Sequence, residues 1–493
     1  MESTLQLLLL LLAPCLLTVG SLDVPGCKIR VTSKGLALVK QEGLKFVEQE
    51  LENIVIPDLS GSEGKFHYTI NNVKVTELEL SDSDLHFQPS QNLVFDISNA
   101  SISLSFQRKL LYWFFYDIGT INASAEGVNI KTQLQMAKDE AGRLKISNIT
   151  CDASVAKMQA GFSGTLKRVY DLLATFITTG MRFLLNQQIC PVLNHAGLVL
   201  LNSLLDTVPV RNPVDDYIGI DYSLLNDPVV TQDSMEMDFK GMFFHLSSEN
   251  DTISNLAVTP VIKEDQRMVY VALSEYFFDS ALYAYYKAGV LQIDVTGDRM
   301  PKDLEVLLRA TYFGSIMLLN PAVVEAPMKL SFEVSKPPRF TIKPSGTTVT
   351  VSSSLNIYLV PADLPPVQLS SMTMEMRLNA KVTLKGKLLQ VVFDLRRFRI
   401  YSNQSALESL ALIPLQGPLK TMLQVGIMPM LNERTRRGVQ IPLPEGLDFT
   451  KETVTNHVGF ICIGGDLYFS KSLQEVIEKY RPATTAAPTS ASN

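Results

Sequence analysis

A chain of 493 residues is longer than one hydrophobic core usually supports, so two large domains are expected. Hydrophobic residues make up 46% and the mean hydropathy is positive, yet beyond the N-terminal leader no stretch of about 18 residues lacks polar interruption; helical membrane spans are not expected, and the apolar excess must be buried or line something. The net charge of −6 gives no basic excess for nucleic acid, which is not expected as a partner.

Leu5, the run Leu7–Leu12, Leu16 and Leu17 form a short hydrophobic stretch followed by the small residues Val19, Gly20 and Ser21. This reads as a secretory signal peptide over residues 1–22, cleaved near Gly20 to Leu22, although Glu2 and the absence of Lys or Arg make its start atypical. Five sequons agree with export: Asn99, Asn122, Asn148, Asn250 and Asn403, each a candidate glycosylation site.

Residues 33–54 carry helical spacing in Leu36, Val39, Phe46, Val47, Leu51 and Ile54, with Thr32 or Ser33 as cap and Pro57 as stop. Strand alternation follows at Phe66, Tyr68, Ile70, then Val73, Val75, then Leu78, Leu80, and again over 93–106, 121–136 and 143–157. The parity slips near Asn72 and Asn99, as bulges or turns require. Residues 110–116 break the pattern with an unbroken apolar run, Leu110, Leu111, Tyr112, Trp113, Phe114, Phe115 and Tyr116, which holds the only tryptophan. Too short to span a bilayer, it reads either as a strand buried on both faces or as a tip that dips into a lipid surface, where Trp and Tyr are favoured.

From Thr165 to Leu205 the spacing is helical again, with Leu166, Val169, Leu173, Phe176, Ile177, Leu184 and Leu185 on one face and interruptions at Gly180 and Pro191. Beyond the polar segment 247–267 the order repeats. A helical run (Leu273, Phe277, Phe278, Ala281, Leu282, Tyr285) precedes alternating stretches over 290–400 and an apolar helical stretch from Leu407 to Leu431. Two similar domains are expected rather than a solenoid, whose units are shorter. The tail 481–493 is too polar and too broken by Pro to fold alone. Cys27, Cys151, Cys190 and Cys462 remain after removal of Cys15, and three pairings are possible. A Cys151–Cys190 bridge, which would tie a strand to the long helix, is favoured; Cys27 and Cys462 are then free thiols or a second bridge.

Catalytic motifs are missing. The five histidines show no HExxH and the cysteines no CxxC, so no metal site is expected. Gly161-Phe-Ser-Gly-Thr165 sets its second glycine one place too early for a nucleophile elbow, and the phosphate-loop pattern is absent at Gly64-Lys65 and Gly386-Lys387. The chain is expected not to be an enzyme.

The segments PGCKIRVTSKGLALVKQEG (25–43), LLYWFFYD (110–117), FITTGMRFLLNQQICPVLNHAG (176–197), RMVYVALSEYFFDSA (267–281), LRATYFGSI (308–316) and DLRRFRIYSNQSALESLALIPL (394–415) together resemble the family that includes cholesteryl ester transfer protein, lipopolysaccharide-binding protein and bactericidal permeability-increasing protein. The resemblance covers nearly the whole mature chain. It implies an α+β boomerang of two similar antiparallel β-barrel domains, each with a long apolar helix and a lipid pocket, joined by a central antiparallel sheet. It divides the chain into 23–246, a linker 247–267 and 268–480. Its disulfide falls on Cys151 and Cys190. Cys462 departs from it, in a strand position expected to be apolar.

The function implied is that of a secreted, extracellular plasma protein moving phospholipid between lipoproteins or membranes, with bound phospholipid as cargo, no cofactor, and high-density lipoprotein as the particle it remodels. Neutral-lipid (cholesteryl ester) transfer and lipopolysaccharide binding are the alternatives within the family. Residues 23–246 hold 19 Lys and Arg against 26 Asp and Glu, and residues 247–493 hold 25 against 23, a balance that weighs against phosphorylated lipid A as ligand. Two surfaces are expected to touch lipid transiently: Tyr112, Trp113, Phe114 and Phe115, and in the second half Ile316, Met317, Leu318 and Leu319 ahead of Asn320-Pro321.

Overall fold

A computed structural model describes residues 24–480 apart from 81, 90, 91, 162–166, 320 and 403–405. Residues 1–23, which hold the expected signal peptide, the tail 481–493 and the sequon at Asn403 lie outside the described residues, as do the side chains of Leu166, Val169, Leu173 and Leu407.

The first strand, β1 (Cys27–Thr32), runs straight into helix α1 (Ser33–Glu52), the residue at the join being Thr32 in extended conformation. Its hydroxyl does not cap the helix but donates to the Arg267 carbonyl at 2.8 Å. The meander β2 (Leu59–Glu63), β3 (Phe66–Glu79), β4 (Asp82–Gln88), β5 (Asn92–Tyr112), β6 (Phe115–Lys138) and β7 (Leu144–Gly161) then forms one antiparallel sheet ordered β2-β3-β5-β6-β7, with β4 on β5. The parity slips are real. Asn72 and Asn99 take φ of 53° and 54°, and the register shifts beside each, between Asn71 and Lys74 and between Ile97 and Ala100.

Helix α2 (Lys167–His195) covers this sheet and continues through a π-helical turn (Ala196–Leu201) into α3 (Asn202–Leu205). It is not interrupted at Gly180 or Pro191. Gly180 lets the helix approach Leu59, whose Cδ2 would lie 2.6 Å from a Cβ there, and Pro191 is accommodated within the helix. The buried stripe is Ile177, Met181, Leu185, Ile189 and Leu193, stepping by four residues. Phe176, expected on that face, is exposed, and Leu184 is half-buried. With Val47 and Leu51 of α1, Ile54 just beyond it, and the inward residues of β3, β5 and β6, the stripe makes the core of the first half.

The second half repeats the plan. Strand β13 (Val269–Ser274) runs straight into α4 (Glu275–Lys287), so Leu273, expected to open the helix, closes the strand instead. A sheet ordered β14 (Gln292–Thr296), β15 (Met328–Lys343), β16 (Gly346–Leu359), β17 (Val367–Lys385), β18 (Leu388–Tyr401), β19 (Val439–Gln440) follows. Three short helices, α5 (Lys302–Thr311), α6 (Phe313–Met317) and α7 (Pro321–Val324), link β14 to β15. The long helix of this half is segmented into α8 (Ala406–Ala411), α9 (Ile413–Met422), a π-helical turn (Leu423–Ile427) and α10 (Met428–Thr435). Among the described residues neither sheet closes into a barrel. Each is a curled half-barrel with unpaired edges, its concave side filled by helices rather than by its own first strand.

The halves share a central sheet built with β10 (Val229–Val230), β11 (Ser234–Phe239), β20 (Leu447–Asn456) and β21 (Phe460–Phe469), in the order β10-β11-β1-β13-β21-β20. The order is balanced about the β1–β13 pair: each of these strands feeds a helix, and each is flanked by a hairpin from its own half. Beside it, β8 (Arg211–Pro213), β9 (Ile218–Asp221) and β12 (Met242–His245) form a three-stranded sheet. The last helix, α11 (Leu473–Tyr480), crosses back to pack Leu473 and Ile477 on Phe46, Ala196 and Leu200 of the first half.

The repeat extends to single side chains. Just after the first π-turn, Asn202 accepts from the Ile146 amide (2.8 Å) and donates to the Ile146 carbonyl (3.0 Å), standing in for a paired strand at the edge of β7. In the second half Asn432 treats Phe393 of β18 identically, at 2.7 and 2.9 Å. Asn202→Ala leaves a buried backbone donor and acceptor without partners and is expected to cost about 2–4 kcal/mol. Asn202→Asp, which can accept but not donate, should lose a comparable amount; denaturant midpoints of the two variants against wild type check this.

Cys151 of β7 and Cys190 of α2 form a disulfide with Cα atoms 5.5 Å apart. Cys27 and Cys462 are buried free thiols. They do not form a second bridge because β13 stands between their strands: Cys27 pairs with Leu273, which pairs in turn with Ile461. Burial pushes the Cys462 thiol up to about 12, and Cys27 higher still.

Candidate lipid-contact site

Strands β5 and β6, 21 and 24 residues long, make the longest hairpin of the first sheet. Their turn is Trp113 and Phe114 alone, since Tyr112 pairs with Phe115. Trp113 adopts φ of 57°, a conformation two-residue hairpins normally give to Gly, Asn or Asp. An aromatic pair at such a turn is a local cost, of the kind kept where the exposed side chains have a use.

The run is therefore not a strand buried on both faces. Trp113 is 61% exposed, Phe114 83% and Phe115 68%, with Tyr112, Tyr116, Leu111 and Ile118 exposed behind them. Trp113 stacks on Phe114 (centroids 5.1 Å), and Tyr112 on Phe66 of the neighbouring strand (4.1 Å). Lys65, from the β2–β3 turn, sets its Nζ 4.0 Å from the Trp113 ring centroid, so the aromatic tip carries one cation at its side. Behind the tip the buried Arg108 donates through Nε and Nη2 to Asp117 at 3.2 and 2.9 Å, holding the two strands together across the hairpin. The result is an exposed apolar surface at the end of a long hairpin. Tyr116, the last residue of the apolar run, and Ile118 belong to the same patch; Ile118 was not singled out in the sequence because Asp117 reads as the end of the run.

At the far end of the second sheet the expected four-residue segment is split. Ile316 is 4% exposed and belongs to the core, because α6 turns it inward one helical turn after the buried Tyr312. Met317 and Leu318 are exposed, Leu318 at 88%, and Leu319 is half-buried. Exposed Phe313 on the same short helix, Leu364 in the β16–β17 loop, and Leu410 and Ile413 on α8 and α9 lie at this end of the sheet. Sequence reading missed these four, which are spread over 100 residues and converge only through the register of β15, β16 and β18.

Helix α2 also leaves Phe176 and Phe183 exposed on its outer side, and the π-turn after it leaves Leu198 exposed. The stretch Ala174–Leu205 is by length and composition apolar enough to cross a bilayer, although one face of it is committed to the sheet. Among the described residues, a cleft of about 420 Å³ lined by Thr341, Lys343, Arg377 and Arg396 is polar, whereas a more open one of about 520 Å³ is mixed, with Thr76, Ser103, Asn122 and Gln159 beside Leu104, Ala123 and Ala160. The polar lining of the first does not suit an acyl chain, and the second lies open to solvent. The apolar side chains between helices and sheet pack on one another instead. Asn99, Asn122, Asn148 and Asn250 are exposed, away from the core clusters.

Comparison with known proteins matches both halves. The N-terminal domain model of the LBP / BPI / CETP family covers residues 35–207 and the C-terminal domain model covers 212–469. The phospholipid transfer protein of Homo sapiens is 65% identical over 95% of both chains, and that of Mus musculus 63% identical over 94% of both. A crystal structure of lipopolysaccharide binding protein superposes with a TM-score of 0.62 at 21% identity, covering 91% of this chain and all of the other, which shows a shared fold. On these matches the chain belongs to the LBP / BPI / CETP family.

Proposed function

We propose that this protein transfers phospholipid between lipid surfaces, acting as a secreted carrier that docks by its aromatic tip and takes one lipid molecule into an apolar interior. Identity of 63–65% along the whole chain to two phospholipid transfer proteins carries the choice of lipid. The exposed tip of Tyr112, Trp113, Phe114 and Phe115, with Met317 and Leu318 in the other half, supplies the means of docking. We further divide the chain into two lipid-bearing units, 23–246 and 268–480, linked by 247–267.

The physical task sets what the protein must do. A phospholipid with two chains of about 15 methylenes each loses roughly 20 kcal/mol or more on leaving its bilayer, at about 0.8 kcal/mol per methylene. A barrier of that height allows roughly one spontaneous event per minute or fewer. An apolar interior brought to the surface lowers it without any bond being made or broken, so no catalytic group and no cofactor is required. Entry needs the helices α1 and α2 to part from the concave side of the first sheet, where Val47, Leu51, Ile177 and Met181 now fill the space.

Plasma lipoproteins, high-density lipoprotein among them, are the proposed donors and acceptors, and the acidic first half favours zwitterionic over phosphorylated surfaces. The test is transfer of labelled phosphatidylcholine from donor to acceptor vesicles by the purified full-length protein, together with mass spectrometry of the lipid that copurifies with it. Phospholipid in the purified protein and a rate well above the protein-free control are expected. Copurified cholesteryl ester with no phospholipid transfer, or tight and steeply salt-dependent binding of lipid A, would reassign the cargo.

A further inference from the structure

The extended segment between β12 and β13 runs over the outer face of the central sheet and is clamped there by three hydrogen bonds to its backbone. Arg30 donates to the Ile262 carbonyl at 2.6 Å, Lys34 to Gln266 at 3.0 Å and Thr32 to Arg267 at 2.8 Å. Ile262 thereby joins Tyr270, Ala272, Phe460 and Cys462 in a small apolar cluster separate from the main cores. Along its edge three donor groups from distant positions meet. Glu264 comes from the clamped segment, His457 from the β20–β21 turn and Cys462 from β21, and one ligand atom from each lies within 4.8 Å of the others.

We infer that Glu264, His457 and Cys462 form a binding site for a zinc ion, with water as the fourth ligand, which ties the interdomain segment to the central sheet.

The donor set selects the metal. A thiolate, an imidazole and a carboxylate match zinc, whereas calcium and magnesium take oxygen ligands almost alone. A tetrahedral zinc with bonds of about 2.0–2.3 Å spaces its donors roughly 3.3–3.8 Å apart, within small side-chain adjustments of the observed cluster. The thiolate and the carboxylate together neutralise the ion.

The groups are also held in place. His457 stacks flat on Phe460 (4.7 Å, 9°), and its backbone amide donates to the Phe460 carbonyl, closing the turn. Glu264 Oε2 accepts from the Lys263 amide at 3.0 Å, leaving Oε1 directed at His457. His457 Nε2 lies 3.0 Å from that oxygen, yet the pair is not aligned as a hydrogen bond and the nitrogen, buried from solvent, has no hydrogen-bond partner. The two groups lie at ion-pair distance, and a zinc ion would take the place of the imidazole proton in drawing them together. The same three residue types serve as a hydrolytic triad elsewhere, but Cys462 is 2% exposed beneath this cluster, where a substrate carbonyl has no access.

The experiment uses the full-length secreted protein without a histidine tag, stripped with chelator and titrated with Zn²⁺ against a chromophoric chelator, and separately with Co²⁺. One equivalent of zinc is expected to bind, calcium and magnesium should not compete, and the cobalt form should show a thiolate-to-metal charge-transfer band. Glu264→Gln and His457→Gln, both partly exposed and compatible with folding, should each weaken zinc binding by more than about tenfold. Cys462→Ser should abolish the cobalt band. The melting temperature should rise with zinc for wild type and stay fixed for the Glu264 and His457 variants. Absence of a stoichiometric zinc, binding unchanged in those two variants, or a cobalt complex without the charge-transfer band would overturn the assignment.

Discussion

Replacing Trp113, Phe114 and Phe115 together with Ala is expected to reduce vesicle binding and phospholipid transfer by at least about tenfold while secretion, melting temperature and copurified lipid stay near wild type. The rings stand on a two-residue turn and the first residue of β6 and are mostly in solvent, so their removal opens no cavity. If each buries about 100 Å² in a lipid interface, at roughly 25 cal/mol per Å² it contributes about 2.5 kcal/mol to docking. The sum is enough for reversible adsorption and far short of permanent insertion. Phe313, Met317 and Leu318 replaced together should show a smaller loss of the same kind. Ile316→Ala makes the contrast: its side chain is core, so the protein should lose about 2–5 kcal/mol of stability without any specific loss of docking. A sharp fall in melting temperature for the tip variant, or unaltered binding, would refute the docking role.

Removing the Cys151–Cys190 bridge by double substitution with Ser is expected to free the long helix. The bridge is 39 residues apart in sequence, and loop entropy assigns such a closure about 4 kcal/mol. In hydrogen exchange that corresponds to roughly 1,000-fold faster opening. The loss should be concentrated in amides of α2 and the π-turn that follows, since the bridge joins α2 directly to β7. Protection in α4 and in β15–β18, which lie in the other half, should change little. Equal loss of protection in both halves would mean that the bridge acts on the whole molecule rather than on the helix it holds. The same variant tests the entry step proposed for lipid, because a helix less firmly held to its sheet should exchange its cargo faster.

The helices and the long meanders are legible in the sequence because each has one wet face and one dry one. Leu36, Phe46, Val47 and Leu51 step around α1, and alternation in β3 to β7 is strict enough that its breaks at Asn72 and Asn99 mark the register shifts to the residue. The central sheet lacks such a signal. Strand β13 is buried at all six positions and β21 at its first six, so neither alternates, and β10 has two residues. Leu273 was drawn into the helical run for this reason. Gly180 and Pro191 carry the chemistry of helix breaks but lie where packing against Leu59 and the surrounding helix outweighs local propensity.

The aromatic tip was visible as composition but ambiguous as structure, since a turn made of Trp and Phe offers none of the usual turn residues. The second tip was legible only in part. Helical phase sends Ile316 inward and Met317 outward, and Leu364, Leu410 and Ile413 are brought near by strand pairing that no local pattern records. Positions 264, 457 and 462 have no shared motif for the same reason: the first reaches the other two only by crossing the sheet.

The balanced order of the central sheet also governs how the chain can be made. Strand β1 emerges from the ribosome first, but its neighbours are β11 and β13, and Cys27 meets Phe239 and Leu273. At roughly 5–20 residues per second, it stays unpaired for tens of seconds. Strand β13 in turn waits for β21, near the end of the chain, with every one of its six side chains apolar or buried in the finished protein. Each half can curl its own meander while it is still being synthesised, yet the seam joining them is completed last. Nascent chains halted before Leu447 would carry an open hydrophobic strand edge, a form that cellular quality-control machinery can recognise and hold back.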